Sequence, residues 1–337
     1  MDSVWKIAKK NGYKINNIKN SSISALIKIT SSCRSRCQYC LSWQTKQEDL
    51  PTNDFISVAN DIQKFKSHRI TLTGGEPTTH PEFLHIIKKC NEIGTYLTVI
   101  TDGQYAYDSH WVSMANEITF SIDTCFPEIY MDLRGINGLP RAFKNISMAV
   151  EKGVNVSINI VLSHQSIANL EQTIEILAGM GVSSIYFLEL ETHLSIEEKL
   201  SPTANDLSNF LQNILPILRR RYPILIPENA FLFPKKKNSG SGQNPCIIPW
   251  MHMTIRPNGN VYPCCRIGDD TPRGNDKNYC LGNIKEASIC DLWQSLKRKQ
   301  IQTSITKAPP LPCLKCSIGN LFNNKDKIWS QIESIRM

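Results

Sequence analysis

Residues 23–40 read ISALIKITSSCRSRCQYC. The first eight, 23–30, hold three Ile, a Leu and a Thr, the composition of a β-strand, and the polar Ser31-Ser32 breaks the run. Three cysteines follow at once, Cys33, Cys37 and Cys40, in a C-x-x-x-C-x-x-C spacing with Tyr39 beside the last. Three thiolates so close together wrap one compact metal centre, yet they leave a tetrahedral ion or a four-iron cluster one ligand short. A structural zinc site asks for a fourth Cys or His nearby, and none occurs before His68. The spacing therefore suits a cluster with one open iron better than it suits zinc.

Working outward, five more β-rich runs follow: 69–73, 96–101, 117–122, 155–162 and 184–190. Each leads into polar or glycine-containing sequence and then helix-like spacing, such as Phe143, Ile146 and Val150. Six consecutive βα units predict an α/β fold with a parallel sheet, an open or partial (β/α)6 TIM-like barrel. Chemistry in such barrels collects at the carboxyl ends of the strands. Cys33, Gly74-Gly75-Glu76-Pro77, Thr101-Asp102-Gly103 and Ser121-Ile122-Asp123 all fall there, on one predicted rim.

The chain has 337 residues, 41% hydrophobic and 20% charged, enough for one large or two ordinary domains. No apolar run reaches the roughly 20 residues of a membrane helix, and no signal-peptide core opens the sequence, so the expected location is the cytoplasm. The formal charge of +8 is modest. Its short basic runs, Arg219-Arg220-Arg221 and Lys235-Lys236-Lys237, read as solvated surface rather than a nucleic-acid patch. Twelve cysteines in a cytosolic chain point to metal rather than disulfides.

The triad with its aromatic neighbour, the GGEP loop and the βα pattern of 23–190 together resemble the radical S-adenosylmethionine (SAM) superfamily. The resemblance implies that Cys33, Cys37 and Cys40 hold a [4Fe–4S] cluster whose fourth iron is chelated by SAM. It implies a one-electron donor such as flavodoxin or ferredoxin, and a 5′-deoxyadenosyl radical as the product of reductive cleavage. It also places the SAM methionine at Gly74, Gly75, Glu76 and Pro77, with Tyr39, Thr101, Asp102, Ser121, Asp123 and Arg134 as further cofactor contacts. Relatives often have Asn where Asp102 stands, and Asp accepts but cannot donate. Asp123 has the alternative role of capping the next helix.

Residues 203–221 read as an amphipathic helix, and 234–245 have the composition of a flexible linker. The expected organisation is an N-terminal extension (1–22), the barrel (23–200), helix and linker (201–245) and a cysteine-rich segment (246–337) holding seven of the twelve cysteines. In the last, Met251–Ile255 and Val261–Cys265 read as a β-hairpin, with Cys246 before it, Cys264 at its end and a C-x-x-C at Cys313 and Cys316. This segment resembles the SPASM or twitch extension, which implies a second, auxiliary [4Fe–4S] cluster on Cys246, Cys264, Cys313 and Cys316. Cys265 is an alternative to Cys264, zinc is an alternative metal, and Cys280 and Cys290 are unassigned.

For the reaction, Glu189, Glu191 and His193 follow the sixth strand and are candidates for substrate binding or deprotonation; Cys125 is a candidate hydrogen-atom donor or a core residue. The expectation is oxidation of a small biosynthetic substrate, the auxiliary cluster taking the electron. Epimerisation, modification of a ribosomal peptide, and a non-enzymatic metal sensor are the rivals. A small substrate is favoured because only 32 residues precede Cys33, too few for a leader-binding module of about 80.

Overall fold

The computed structural model describes residues 22–106, 110–190, 197–226, 248–268 and 277–307. Glu191, His193, Cys246, Cys313 and Cys316 lie outside the described residues, as do the lysines of 235–237.

Strand β1 (Ser22–Thr30) alternates as expected for a strand with two unlike faces. Ile23, Ala25, Ile27 and Ile29 are buried, and Ser24, Leu26 and Lys28 are half-buried. Helix α1 (Thr52–Ile62) and its following turn set Phe55, Val58, Ala59, Ile62 and Phe65 into the same core. The chain then repeats the βα unit through β2 (Ser67–Gly74), α2 (Phe83–Glu92), β3 (Tyr96–Thr101) and β4 (Glu117–Ser121). Helices α3 (Pro127–Arg134) and α4 (Leu139–Glu151), then β5 (Asn155–Leu162), α5 (Leu170–Gly179) and β6 (Ser184–Glu189), complete it.

The six strands run parallel in the order β6-β5-β4-β3-β2-β1, an open, partial TIM-like barrel. All six coincide with the predicted runs to within two residues. Runs of β-branched residues at even spacing are the strong signal of a sheet covered by helices.

The predicted helix over 203–221 forms as Ala204–Asn209, a π-helical turn Phe210–Ile214, and Leu215–Arg221. Thr203 caps its start in a reciprocal box with Asp206. The wider π turn turns Phe210 fully inward, edge-on to Phe187 of β6 at 5.3 Å between ring centres.

The predicted hairpin forms too, from β7 (His252–Ile255) and β8 (Asn260–Tyr262), with Gly259 at φ +86° in its turn. Strand β7 pairs parallel with β1, Ser24 opposite His252 through Ile27 opposite Ile255, and β9 (Gly282–Asn283) extends β8. The hairpin thus covers the free edge of β1, whose unpaired backbone would otherwise be exposed.

Helices α6 (Ile289–Gln294) and α7 (Leu296–Lys307) close the segment against α1. Asp61 of α1 accepts from the Ile289 amide at 2.8 Å, and Trp293 meets Phe65 edge-on at 5.2 Å. Buried Arg298 lies 3.6 Å over the Trp293 ring and donates to the carbonyls of Trp293, Pro249 and Trp250. Cys290 packs in this seam, its thiol directed at the Asp61 carbonyl, and Cys280 donates to the Gly282 carbonyl. Among the described residues no helix is long and apolar enough to cross a membrane.

Candidate active site

Where β1 and β2 end, their register slips between Lys28 and Thr30, and both chains turn into loops over the sheet. The loops are bonded backbone to backbone: the Gly75 amide donates to Thr30 O at 2.8 Å and the Glu76 amide to Ser32 O at 2.7 Å. Glycine is required here by proximity. A Cβ on Gly74, whose φ is +147°, would stand 2.1 Å from Thr30 O, and one on Gly75 would stand 2.2 Å from Ser32 O. Gly75→Ala therefore pushes the cysteine loop off the β2 rim. Iron analysis after anaerobic reconstitution should fall by about four per chain, with the far-ultraviolet circular dichroism unchanged; full iron content would show that the loops have slack.

The cysteine loop is held at each turn. Arg36 and Gln38 amides donate to the carbonyls of Arg134 and Leu133 at 2.9 and 3.0 Å, which ties the loop to the end of α3. Gly135, left-handed at φ +63°, ends α3 against the Arg36 carbonyl, 2.7 Å from where a Cβ would lie. The Ser35 hydroxyl donates to Asp102 at 2.6 Å, and the Trp43 indole donates to the Cys37 carbonyl at 3.2 Å. Cys37 is buried, with Cys33 and Cys40 half-buried beside it.

Two carboxylates organise the rim. Glu76, 2% exposed, accepts through Oε1 from the hydroxyls of Thr101 (2.8 Å) and Thr78 (2.7 Å), and through Oε2 from the Asp102 amide (2.7 Å). It thereby spans β2 and β3. Burial first, then the neighbouring Asp102 carboxylate, pushes its pKa well above the usual carboxylate range. Asp102 accepts from Ser35 on one oxygen and from the Gln104 amide on the other at 2.9 Å. The Gln104 amide can only donate, and the Ser35 hydroxyl donates here, so both carboxylate oxygens of Asp102 serve as acceptors.

Asp123 is the second hub, fully buried. Arg134 grips it with two bonds, Nε at 2.7 Å and Nη2 at 3.0 Å; the Val161 amide adds a third at 2.9 Å and the Tyr39 hydroxyl a short fourth. Helix capping, the alternative held open for Asp123, is not its role, since the residue before α3 is Phe126 and no side chain caps that helix. Arg134 also lies over the Tyr39 ring at 5.8 Å and points Nη1 to within 3.9 Å of Cys37 Sγ. This Tyr39–Asp123–Arg134 lock was not legible in the motif spacing.

Burial, then Asp102 and Glu76, pushes the Cys33 thiol up to about 12; burial pushes Cys37 up to about 11 against the opposing pull of Arg134. Thiols so placed ionise when a metal supplies the compensating charge. Three thiols carried on the one loop 33–40, with the Cys40 amide bonded to the Cys37 carbonyl at 3.1 Å, are the donor set of a four-iron cluster with one iron left open.

The remaining predicted residues are scattered. Ser121 ends β4 and is half-buried on the same rim. Glu189 ends β6, opposite Leu162. Cys125 turns to the helix layer: its amide and thiol bond Thr173 of α5 at 3.2 and 3.7 Å, and burial pushes its pKa up to about 12. Those surroundings fit its core-packing reading. Cys264, just beyond β8, is buried and accepts from the Ile267 amide at 3.4 Å; Cys265 is half-buried.

Residues 27–177 match the model of the radical SAM superfamily, and 246–331 match SPASM, an iron–sulfur cluster-binding domain. The chain is 23% identical over 317 residues to the tungsten-containing aldehyde ferredoxin oxidoreductase cofactor-modifying protein of Pyrococcus furiosus, covering 87% of this chain and 86% of that protein. It is 21% identical to the PqqA peptide cyclase of Rhizobium meliloti, covering 80% and 73%. Its fold is that of Streptococcus suis SuiB (TM-score 0.68, 17% identity, 94% of this chain and 76% of that one) and of anSMEcpe (0.67, 18%, 88% and 86%). The first domain implies SAM and a [4Fe–4S] cluster as cofactors, and the second implies additional iron–sulfur clusters. The chain belongs to the radical SAM superfamily of enzymes and carries its SPASM domain on the strands that cover β1.

Proposed function

We propose that the chain cleaves SAM reductively at Cys33, Cys37 and Cys40 and oxidises a bound substrate by two electrons, passing the second electron to an auxiliary [4Fe–4S] cluster on Cys246, Cys264, Cys313 and Cys316. The observation that carries this reading is the single bonded rim: Gly75 on Thr30, Glu76 on Thr101 and Asp102, and Asp102 on Ser35, around three buried or half-buried thiols. When bound, SAM and its cluster supply a 5′-deoxyadenosyl radical that takes a hydrogen atom from the substrate.

The chain's own groups position and shield. The backbone edge of Gly74, Gly75 and Pro77, with Glu76, receives the methionine end of SAM, and Thr101, Asp102 and Ser121 face its ribose. Tyr39, Asp123 and Arg134 hold the Cys37 side of the loop rigid. Glu189 at the end of β6, with Glu191 and His193 after it in sequence, binds the substrate or takes its proton.

Two substrate classes have support. The name of the Pyrococcus relative, a cofactor-modifying protein, favours a small biosynthetic molecule; PqqA peptide cyclase favours a peptide. The test is anaerobic reconstitution, reduction and measurement of 5′-deoxyadenosine from SAM, then reaction with candidate substrates in D2O. A product two mass units lighter without solvent deuterium supports oxidation. An epimerised product carrying deuterium would replace it with hydrogen-atom return, and failure to cleave SAM with an intact cluster would end the enzyme reading.

A further inference from the structure

Tyr130 lies on α3 one turn before Arg134, and so on the same face of that helix. Arg134 brings that face to the cysteine loop: its carbonyl takes the Arg36 amide, and its Nη1 stands 3.9 Å from Cys37 Sγ. Tyr130 is wholly buried, yet among the described residues its hydroxyl has no hydrogen-bond partner. Buried hydroxyls are ordinarily paired, and one left alone weakens the fold. The ionisable groups that act on it are Arg134, Asp102, Asp123 and Cys37. Burial, opposed by Arg134, pushes its pKa up, so it stays a donor.

Those neighbours leave one acceptor for it. Arg134 only donates. Asp123 already accepts two bonds from Arg134, one from Val161 and one from Tyr39, which fills a carboxylate. Asp102 is turned to Ser35 and to the Gln104 amide. The Cys37 sulfur takes the long approach of Arg134 Nη1, and a ligating sulfur accepts further donors.

Resting on the assignment of the SAM-binding cluster to Cys33, Cys37 and Cys40, we infer that Tyr130 is a positioning residue for that cluster: its hydroxyl, unpaired within the fold, donates to the Cys37 sulfur when that thiolate ligates iron. A donor on a ligating sulfur favours the more negative, reduced cluster and so raises its reduction potential. Tyr130 itself transfers neither electron nor proton. The bond sets how readily the cluster takes its electron.

Tyr130→Phe keeps the ring and removes the hydroxyl. The readout is the electron paramagnetic resonance signal that the Cys33→Ala/Cys37→Ala/Cys40→Ala protein lacks, titrated against potential in the reconstituted full chain before SAM is added. In Tyr130→Phe its reduction equilibrium should move about tenfold toward the oxidised form, a fall of about 59 mV for a one-electron couple, at the iron content of wild type. Cluster-free Tyr130→Phe should unfold in urea at a midpoint no lower than wild type, because it loses no bond. Tyr105→Phe is the control, since Tyr105 is also buried with an unpartnered hydroxyl but has Glu76 as its charged neighbour instead of a cysteine. Its potential should match wild type.

The inference is overturned if the potential of Tyr130→Phe is that of wild type, or if Tyr105→Phe lowers it as much. It is also overturned if the cluster-free variant loses stability, which would give the hydroxyl a partner inside the fold. An unchanged potential with SAM affinity weakened about tenfold overturns it too, and gives the hydroxyl to SAM. A wild-type protein with no signal that depends on the three cysteines counts instead against the cluster assignment, so the two failures are distinguishable.

Discussion

Asp123→Ala lowers the stability of the cluster-free protein by about 3–5 kcal/mol, the usual cost of removing one partner from a buried ion pair. The wild-type carboxylate, wholly enclosed, takes two bonds from Arg134, one from Val161 and one from Tyr39. Without it, a guanidinium 5% exposed keeps its charge in the core with the Tyr39 ring, the Cys37 sulfur and Tyr130 beside it, none of them a carboxylate. Urea unfolding at neutral pH reads the loss as a lower midpoint at unchanged slope. A loss below about 1 kcal/mol, the range of an exposed pair, would mean that Arg134 escapes to water and that the lock is not a buried one. Asp123→Asn, which keeps the shape and one acceptor, should lie between the two.

The larger effect is on chemistry. Replacing Cys33, Cys37 and Cys40 together by alanine removes all three thiolates of the SAM-binding cluster. Iron per reconstituted chain should fall from about eight to about four, and 5′-deoxyadenosine formation should drop below detection. The residual four irons report the auxiliary cluster separately. Retention of eight irons would place a cluster elsewhere, and retention of SAM cleavage would refute the assignment outright. A wild-type value near four would instead remove the auxiliary cluster.

Much of the barrel was legible because its signals are local. Each strand is a short β-rich run bounded by turn residues, and each rim motif sits directly after one, so order along the chain translates into position on one edge. The hairpin 252–262 and the capped helix from Ala204 were readable for the same reason. The roles within the rim were less so. Asp102 looked like a departure from the family's Asn, and its side-chain partner is Ser35, on the loop after another strand. For Asp123 the sequence offered a cofactor contact or a helix cap, and its partner Arg134 is eleven residues on, brought back by the short helix α3.

By itself the sequence determined the parallel βα frame, the three-thiol site short of one ligand and the family they indicate, since each rests on spacing over a few residues. Only the tertiary structure decided that β7 covers the edge of β1, that Trp293 and Arg298 anchor that addition, and that Tyr39, Asp123 and Arg134 close on Cys37. The physical reason is that pairing of a strand edge and partnering of a buried charge are satisfied by whichever group arrives in space. Ser24 and His252 lie opposite one another across most of the chain, and no local pattern carries that distance.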